Sequence, residues 1–285
     1  MPKIGILTDS THCLPSEFIR RYGIKVIPMG LVINNKAYYE QIEITPSEFW
    51  EKFKTLKSQP TTFAPNPKEF EKLFAEMALS FDNIICILVS KILTATQNAA
   101  ISAKKDFLEQ HPGVRFQIID SKCAAGALGF LVLEAARAVE RGNSFEEVIN
   151  LVQNMLLKVT YLTALETMKY LIKGGRAPKI AAIGNLLGVR PIITNNKETG
   201  EVLTIGRGQG KKNTMTKLVS MVGDFVEPNK PLHMIVHYTN NLQDGEKLRE
   251  MVKARYDCEE LYMTPYSPVM AVHVGPVISL AFYSA

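Results

Sequence analysis

Short apolar runs alternate with amphipathic stretches through the first half of the chain. Runs at residues 4–7, 84–89 and 116–119 have the length and composition of buried strands, and residues 95–109 have the periodicity of a helix. Alternation of strands and helices is typical of a parallel sheet with helices packed on its faces. We therefore expect an α/β fold whose N-terminal half is a largely parallel sheet with covering helices.

Helix starts are marked by capping boxes, in which an N-cap side chain and an acidic or amide residue three positions later bond each other's backbone. The segments that begin at Thr45, Asn66 and Ser144 have this form, and the first two place proline at the first helical position. Thr94 with Gln97 forms a fourth such pair. The Thr94 hydroxyl is thus predicted to be the N-cap of the helix at residues 95–109.

The segment at residues 58–65 is bracketed by Pro60 and Pro65, which favours an extended backbone. Two adjacent hydroxyl residues, Thr61 and Thr62, therefore lie on a constrained stretch.

The pattern changes after about residue 160. An apolar, helix-like stretch stops at Gly174, and the polar turn at Thr199-Gly200 indicates a hairpin between residues 190–194 and 201–205. The remaining predicted elements are helices at residues 211–225 and 242–256 and strands at residues 232–238, 260–263 and 277–283. We expect two α/β domains, residues 1–160 and 161–285.

Hydroxyl residues follow the predicted strands of the first half. Thr8-Asp9-Ser10 closes the first strand, Ser90 and Thr94 follow the second, and Asp120-Ser121 closes the third. The carboxyl ends of parallel strands form the ligand crevice of an open α/β sheet, and the next helix offers free N–H groups there. The pattern predicts an anion site.

Composition and charge exclude several classes of protein. The 285 residues are 46% apolar and 21% charged, and 33 basic and 28 acidic residues give a net charge of +5. The basic residues do not form a long block of the kind that binds nucleic acid. The four cysteines form no C-x-x-C pair, no signal peptide precedes the first strand, and no apolar run is long enough to span a membrane. We expect a cytoplasmic protein without a membrane span.

Residues that would hold a cofactor or a metal are not evident. The glycine-rich segment at residues 206–212 lacks the spacer and the final Ser or Thr of a phosphate loop. Asp9 and Asp120 have no His or Cys cluster beside them. We expect no metal and no cofactor.

Several segments together resemble the DegV family of fatty-acid-binding proteins over nearly the whole chain. The matched segments are Thr8-Asp9-Ser10, Pro60-Thr61-Thr62-Phe63-Ala64-Pro65 for Pro-x-Thr-Ser-Gln-Pro, Ser90-Lys91-Ile92-Leu93-Thr94-Ala95-Thr96 for Ser-Ser-x-Leu-Ser-Gly-Thr, Asp120-Ser121, Lys173-Gly174-Gly175-Arg176, and His273-Val274-Gly275-Pro276-Val277 for His-x-Gly-Pro-Gly. The chain departs from the family pattern at Lys91, Ala95, Phe63 and Ala64.

The resemblance implies a two-domain α/β protein with a ligand tunnel at the domain junction. The ligand would be one long-chain fatty acid, with its carboxylate near Thr62, Thr94, Arg176 and His273. Ser90 and Thr61 are neighbouring candidates. The family also implies a non-catalytic role as the acyl-carrying subunit of a fatty acid kinase, with Arg207 facing the ATP-binding partner.

Each of these residues is also compatible with an ordinary structural role. Thr94 can serve as a helix cap alone, Thr62 as a loop hydroxyl, His273 as a core histidine, and Arg176 as a cation at a helix C-terminus. A serine hydrolase using Ser90 or Ser121 with His273 and Asp120 is one alternative function. A binding module for another amphiphilic metabolite is the other.

Overall fold

The computed structural model describes residues 2–176 and 188–285. Within them, the strands are β1 (Ile4–Asp9), β2 (Lys25–Ile27), β3 (Gly30–Ile33), β4 (Lys36–Tyr39), β5 (Thr61–Phe63), β6 (Asn83–Leu88), β7 (Arg115–Asp120), β8 (Thr160–Leu165), β9 (Val189–Asn195), β10 (Val202–Gln209), β11 (Leu232–Tyr238), β12 (Cys258–Pro265) and β13 (Val277–Ser284). The α-helices are α1 (Ser16–Arg21), α2 (Pro46–Phe53), α3 (Pro67–Ala78), α4 (Thr96–Gln110), α5 (Ala125–Glu140), α6 (Phe145–Met155), α7 (Lys169–Lys173), α8 (Gly210–Met221), α9 (Leu242–Lys253) and α10 (Pro268–Val274). Short 3₁₀ helices span Ser10–His12 and Val222–Asp224.

The first half contains the parallel sheet that the sequence predicts. Its four strands run in the order β2-β1-β6-β7, and every neighbouring pair is parallel. All six residues of β6 are buried, as expected for a central strand covered on both faces. The α/β fold is therefore confirmed.

The second half contains a mixed sheet of six strands in the order β10-β9-β8-β13-β11-β12. Only the β11–β12 pair is parallel, and the others are antiparallel. The predicted hairpin is present as β9 and β10. These two sheets lie on either side of residue 160, and the domain limits at 1–160 and 161–285 stay a prediction.

A small antiparallel sheet, β4-β3-β5, is inserted in the first half. Its strand β5 is the extended segment predicted between Pro60 and Pro65, and it pairs with β3. The capping boxes predicted at Thr45, Asn66 and Ser144 are all formed. Local sequence therefore determines where α2, α3 and α6 begin.

Helix α5 is the centre of the fold. Its sequence is apolar on all sides and almost every residue is buried, which is typical of a helix enclosed by other elements. It contacts β1 and β6 of the first sheet and β8 and β13 of the second. Gly126 and Gly129 allow this approach, since an added Cβ would lie 2.3 Å from His237 Nε2 and 2.5 Å from the His12 carbonyl oxygen, respectively.

Among the residues described, no helix combines the length and hydropathy that a membrane crossing requires.

Candidate functional site

A cavity is lined by residues from both halves of the chain. Its volume is about 60 Å³, smaller than the roughly 300–1,000 Å³ of typical small-ligand sites, so a long ligand enters only if the lining side chains move apart. The apolar part of its lining consists of Met29, Val89, Leu93, Tyr161, Leu171, Ile193, Val202, Tyr266, Val269, Met270 and Val274. The polar part consists of Thr11, Thr62, Thr94, Arg176 and His273. The cavity therefore suits a molecule that is largely apolar and carries one polar group.

Thr62 and His273 meet in the cavity wall. Thr62 lies in β5, His273 lies in the last turn of α10, and Thr62 Oγ1 is 2.9 Å from His273 Nε2. Burial, with the nearby charge of Arg176, lowers the pKa of His273 to about 4. The imidazole is therefore neutral at pH 7 and has a single N–H.

The neutral His273 ring leaves this pair with one free donor in either tautomer. If Nε2 carries the proton and donates to Thr62, the Thr62 hydroxyl proton is free. If Thr62 donates to Nε2, the proton lies on Nδ1, which is buried and has no partner among the described residues. In the first arrangement the pair offers the Thr62 hydroxyl proton to an acceptor in the cavity, whereas in the second the free donor, Nδ1, faces Gly174.

Arg176 supplies a cation to the same cavity. It follows α7 and the turn at Gly174-Gly175, where Gly175 has a φ of +70°. Its guanidinium is oriented by main-chain oxygens: Nε donates to Leu93 O at 3.2 Å and one terminal nitrogen to Gly174 O at 2.6 Å. In residues 2–176 and 188–285, no carboxylate lies within ion-pair distance of it.

Burial lowers the pKa of Arg176, because charge is costly away from water. A half-buried guanidinium held by neutral carbonyls keeps most of its charge uncompensated. The wall around Arg176 is therefore suited to an anion.

The prediction that Thr94 is the N-cap of the following helix is wrong. Helix α4 begins at Thr96, and Ala95 occupies the N-cap position without a side-chain acceptor. Thr94 Oγ1 instead accepts the Thr96 N–H at 3.3 Å and lies 2.9 Å from Thr96 Oγ1. Ala95 has φ −80° and ψ 2°. The N-cap position therefore falls on Ala95, and the Thr94 hydroxyl lies one residue before it, where it bonds the backbone of the turn.

The other site candidates lie outside the cavity wall. Ser90 is fully buried, and its hydroxyl donates to Gly200 O at 3.4 Å. Thr61 is exposed on β5, next to Thr62, as the alternation of a strand requires. Arg207 is exposed on β10, opposite Pro191 of β9.

The geometry gives no support to the hydrolase alternative. Ser121 Oγ donates to Cys123 O at 3.2 Å, and Asp120 Oδ1 accepts the N–H groups of Lys91 and Lys122. In the part of the chain that the structure describes, neither Ser90 nor Ser121 is hydrogen-bonded to His273. A nucleophile bonded to a base is therefore missing from this set.

Sequence reasoning missed Thr11, which lines the cavity from the 3₁₀ helix after β1. Buried Asp9 holds it: Oδ1 accepts from Thr11 Oγ1 at 2.5 Å, and Oδ2 accepts the Val89 N–H at 2.8 Å. Burial raises the pKa of Asp9, against these hydrogen bonds. The signal was present, because Thr11 directly follows the Thr8-Asp9-Ser10 motif.

Glu40 is a second residue that sequence reasoning missed. It is fully buried and accepts hydrogen bonds from Ser10 Oγ at 2.6 Å, Ser267 Oγ at 2.7 Å and the Val269 N–H at 3.0 Å. Ser10 in turn accepts the Met29 N–H. Glu40 thus connects the start of α10 to the chain after β1, and no local pattern in the sequence indicates it.

The chain matches a family model over residues 3–285, that of the DegV family, described as uncharacterised proteins. A DegV domain-containing protein from Caldanaerobacter subterraneus is 33% identical over 288 residues, covering 99% of both chains.

Two solved structures have the same fold. One, described as fatty acid binding of a DegV family protein from Thermus thermophilus, is 27% identical, with a TM-score of 0.91 over 99% of this chain and 100% of that one. The other, described as DegV, a fatty acid binding protein from Bacillus subtilis, is 25% identical, with a TM-score of 0.90 over 100% of both chains.

Proposed function

Because this chain belongs to the DegV family, we propose that it binds one long-chain fatty acid. The tail occupies the apolar cavity, and Thr62, Thr94, Arg176 and His273 surround the carboxylate. The protein is a carrier and not itself an enzyme, and it needs no metal or cofactor. We place it in the cytoplasm, in keeping with four cysteines that are all unpaired.

One observation carries the proposal: an apolar cavity whose polar lining includes a guanidinium without a carboxylate partner in the described chain and a Thr62–His273 pair with a donor to spare. A bound carboxylate would neutralise the guanidinium of Arg176 and accept a hydrogen bond from the Thr62–His273 pair. Charge-assisted hydrogen bonds of this kind are stronger than neutral ones. The two solved relatives described as fatty-acid-binding proteins support the same ligand class.

Tail burial provides most of the affinity in this proposal. Each methylene removed from water contributes ~0.8 kcal/mol, so fourteen would contribute on the order of 10 kcal/mol before ordering costs. The head group determines orientation and the preference for an acid over an alcohol. An apolar wall alone would accept any long amphiphile, which is the alternative function.

Presentation to a kinase partner is the second part of the proposal. The bound carboxylate is the nucleophile toward the terminal phosphorus of ATP held by the partner; the bond from that phosphorus to the bridging oxygen breaks, and the products are an acyl phosphate and ADP. This chain orients the carboxylate, while the partner supplies the nucleotide. The exposure of Arg207 on β10 is compatible with a partner contact.

The test is native mass spectrometry of the protein purified from cells, followed by extraction and identification of what it holds. We expect one fatty acid per chain. Leu93→Trp, which fills the cavity from its wall, should abolish the bound mass. Ile92→Trp is the matched control, since the adjacent Ile92 is 51% exposed.

An empty protein, or one that holds a polar metabolite, contradicts the proposal. Equal loading of the Leu93→Trp and Ile92→Trp variants would show that the ligand binds elsewhere. A neutral long-chain lipid in the cavity would favour the alternative of another amphiphile.

A further inference from the structure

The Gln59 side chain joins three chain segments that are far apart in sequence. Its Nε2 donates to Val272 O at 2.8 Å and to Tyr170 O at 3.3 Å. Val272 belongs to α10 and Tyr170 to α7, whereas Gln59 precedes β5. Both N–H bonds of one amide are thus used on main-chain oxygens of two different helices.

The Val272 carbonyl needs a donor that the backbone does not provide. In a continuing helix its partner would be the N–H four residues later, but that residue is Pro276, which has none. The last N–H of the helix, that of Gly275, is used by Ala271 O and does not reach Val272 O. Gln59 therefore satisfies the carbonyl that the end of α10 leaves without a partner.

The Tyr170 carbonyl already accepts the Gly174 N–H at 2.9 Å. The second Gln59 bond is therefore not required to satisfy this carbonyl, and its effect is to connect Gln59 to α7. The two helices are also packed tightly at this point. Gly275 has a φ of +68°, and a Cβ there would lie 2.2 Å from a ring carbon of Tyr170. A shift of α7 or α10 would therefore displace the other helix as well.

These three segments carry three of the five polar residues that line the cavity, Thr62, Arg176 and His273. Thr62 is three residues after Gln59, His273 directly follows Val272, and Arg176 is six residues after Tyr170. Gln59 itself is not among the residues that line the cavity. Its position allows it to act on the head-group residues through their main chains.

We infer that Gln59 is a positioning residue for the head-group site, whose amide fixes α7 and α10 relative to β5 and so aligns His273 and Arg176 with Thr62. This inference rests on the proposed function for its ligand. It predicts that losing the amide affects recognition of the carboxylate more than burial of the tail.

The experiment compares palmitic acid with 1-hexadecanol, which shares the tail but lacks the carboxylate. Gln59→Met keeps the approximate length of the side chain and removes both donors. We expect it to weaken palmitic acid binding about five- to tenfold, the loss typical of one or two hydrogen bonds, and to leave 1-hexadecanol binding unchanged. Ser58→Ala, at an exposed neighbouring position, should change neither.

A second readout does not depend on ligand. In ¹⁵N spectra of the ligand-free protein, Gln59→Met should shift the imidazole signals of His273 and leave those of His111 and His233 in place. Gln59→Asn, which keeps the amide but shortens the side chain, should show the same direction of change if Gln59→Met does not fold.

The outcomes separate the two proposals. Equal losses for acid and alcohol, or no loss for either, would overturn the role of Gln59 while leaving fatty acid binding intact. If the unsubstituted protein binds palmitic acid no more tightly than 1-hexadecanol, the head-group part of the proposed function fails, and the role of Gln59 fails with it.

Discussion

Thr62 Oγ1 lies 2.9 Å from His273 Nε2, which joins residues 211 positions apart in the chain. The contact connects β5, in the inserted three-stranded sheet, to the last turn of α10. It forms because Pro60 and Pro65 keep β5 extended and alternation turns Thr62 away from the exposed side occupied by Thr61. Two segments whose sequences alone indicate a site only weakly thus bring their polar side chains, Thr62 and His273, together.

Thr62→Val tests that centre directly. Valine keeps the shape and removes the hydroxyl, so the fold should persist and palmitic acid binding should weaken about fivefold, the effect of one hydrogen bond. Thr61→Val is the control at the adjacent exposed position. Fluorescence titration with palmitic acid and 1-hexadecanol measures both effects. Unchanged acid affinity in Thr62→Val would remove this hydroxyl from the head-group site.

Thr94→Val tests the second hydroxyl of the proposed site. Loss of the bond from the Thr96 N–H should cost about 1 kcal/mol of stability, and partner-dependent phosphorylation of the fatty acid should slow. Urea denaturation and a single-turnover phosphorylation assay measure the two effects separately. A stability loss with a full phosphorylation rate would leave Thr94 a structural role only.

Arg207→Ala tests the contact with the kinase partner. Because Arg207 is exposed and lies outside the cavity wall, fatty acid affinity should not change. Phosphorylation by the ATP-binding partner should fall, while an alanine at exposed Lys212 should leave it near the unsubstituted rate. Parallel losses of lipid affinity in Arg207→Ala would argue against a role confined to the partner.

The pH dependence of stability isolates Glu40. Burial, with the nearby Asp9 carboxylate, raises the pKa of Glu40 to about 7, against its hydrogen bonds. Between pH 7 and the ordinary pKa of about 4.5, the folded protein therefore binds a proton that the unfolded chain does not. The Glu40 contribution to the free energy of unfolding consequently rises as the pH falls through this window.

Histidines act in the opposite direction. Burial lowers the pKa of His12 and His273 to about 4 and that of His237 to about 3, so unfolding takes up protons below pH 6.5 and stability falls. The difference between the unsubstituted protein and Glu40→Gln cancels this common background. From pH 7.5 to 5.0 it should shift in favour of the unsubstituted protein by on the order of 2 kcal/mol.

Urea denaturation at pH 7.5, 6.5 and 5.0 measures this difference, with Glu17→Gln as an exposed control. A difference that stays constant with pH would mean that Glu40 does not change protonation in this range.

Gly200 offers a test of the contact between the β9–β10 hairpin and the end of β6. An added Cβ would lie 2.2 Å from Ser90 Oγ, at a φ of +79°. Gly142 has a similar φ of +84° with nothing within 4 Å of an added Cβ. Gly142→Ala should cost about 1 kcal/mol for backbone strain, and Gly200→Ala a further 1–3 kcal/mol or so for the clash.

Denaturation midpoints compare the two glycine variants. Equal losses would mean that Ser90 moves aside without cost.

Much of the fold follows from local sequence. The capping boxes at Thr45, Asn66 and Ser144 each act within four residues, and the apolar runs of the parallel sheet need no partner to be recognised. The strand at residues 232–238 is predicted with the bounds observed for β11. The ends of helices are predicted less accurately. Helices α8 and α9 stop at Met221 and Lys253, before the predicted residues 225 and 256.

The failures have a common physical cause. Thr94 satisfies the sequence rule for an N-cap, but the conformation of Ala95 decides which residue occupies that position. Glu40 and Gln59 act through bonds to residues more than a hundred positions away, Glu40 to Ser267 and Gln59 to Val272. Composition and periodicity record only what a residue does with its neighbours in sequence, so these connections need the folded chain.

The helix α5 belongs to both sheets at once. A fragment that ended near residue 160 would leave the surface that faces β8 and β13 open to water, and the remaining half would lose the apolar layer on which its sheet rests. Neither half is thus expected to melt alone, and heating should give one calorimetric transition for the whole chain.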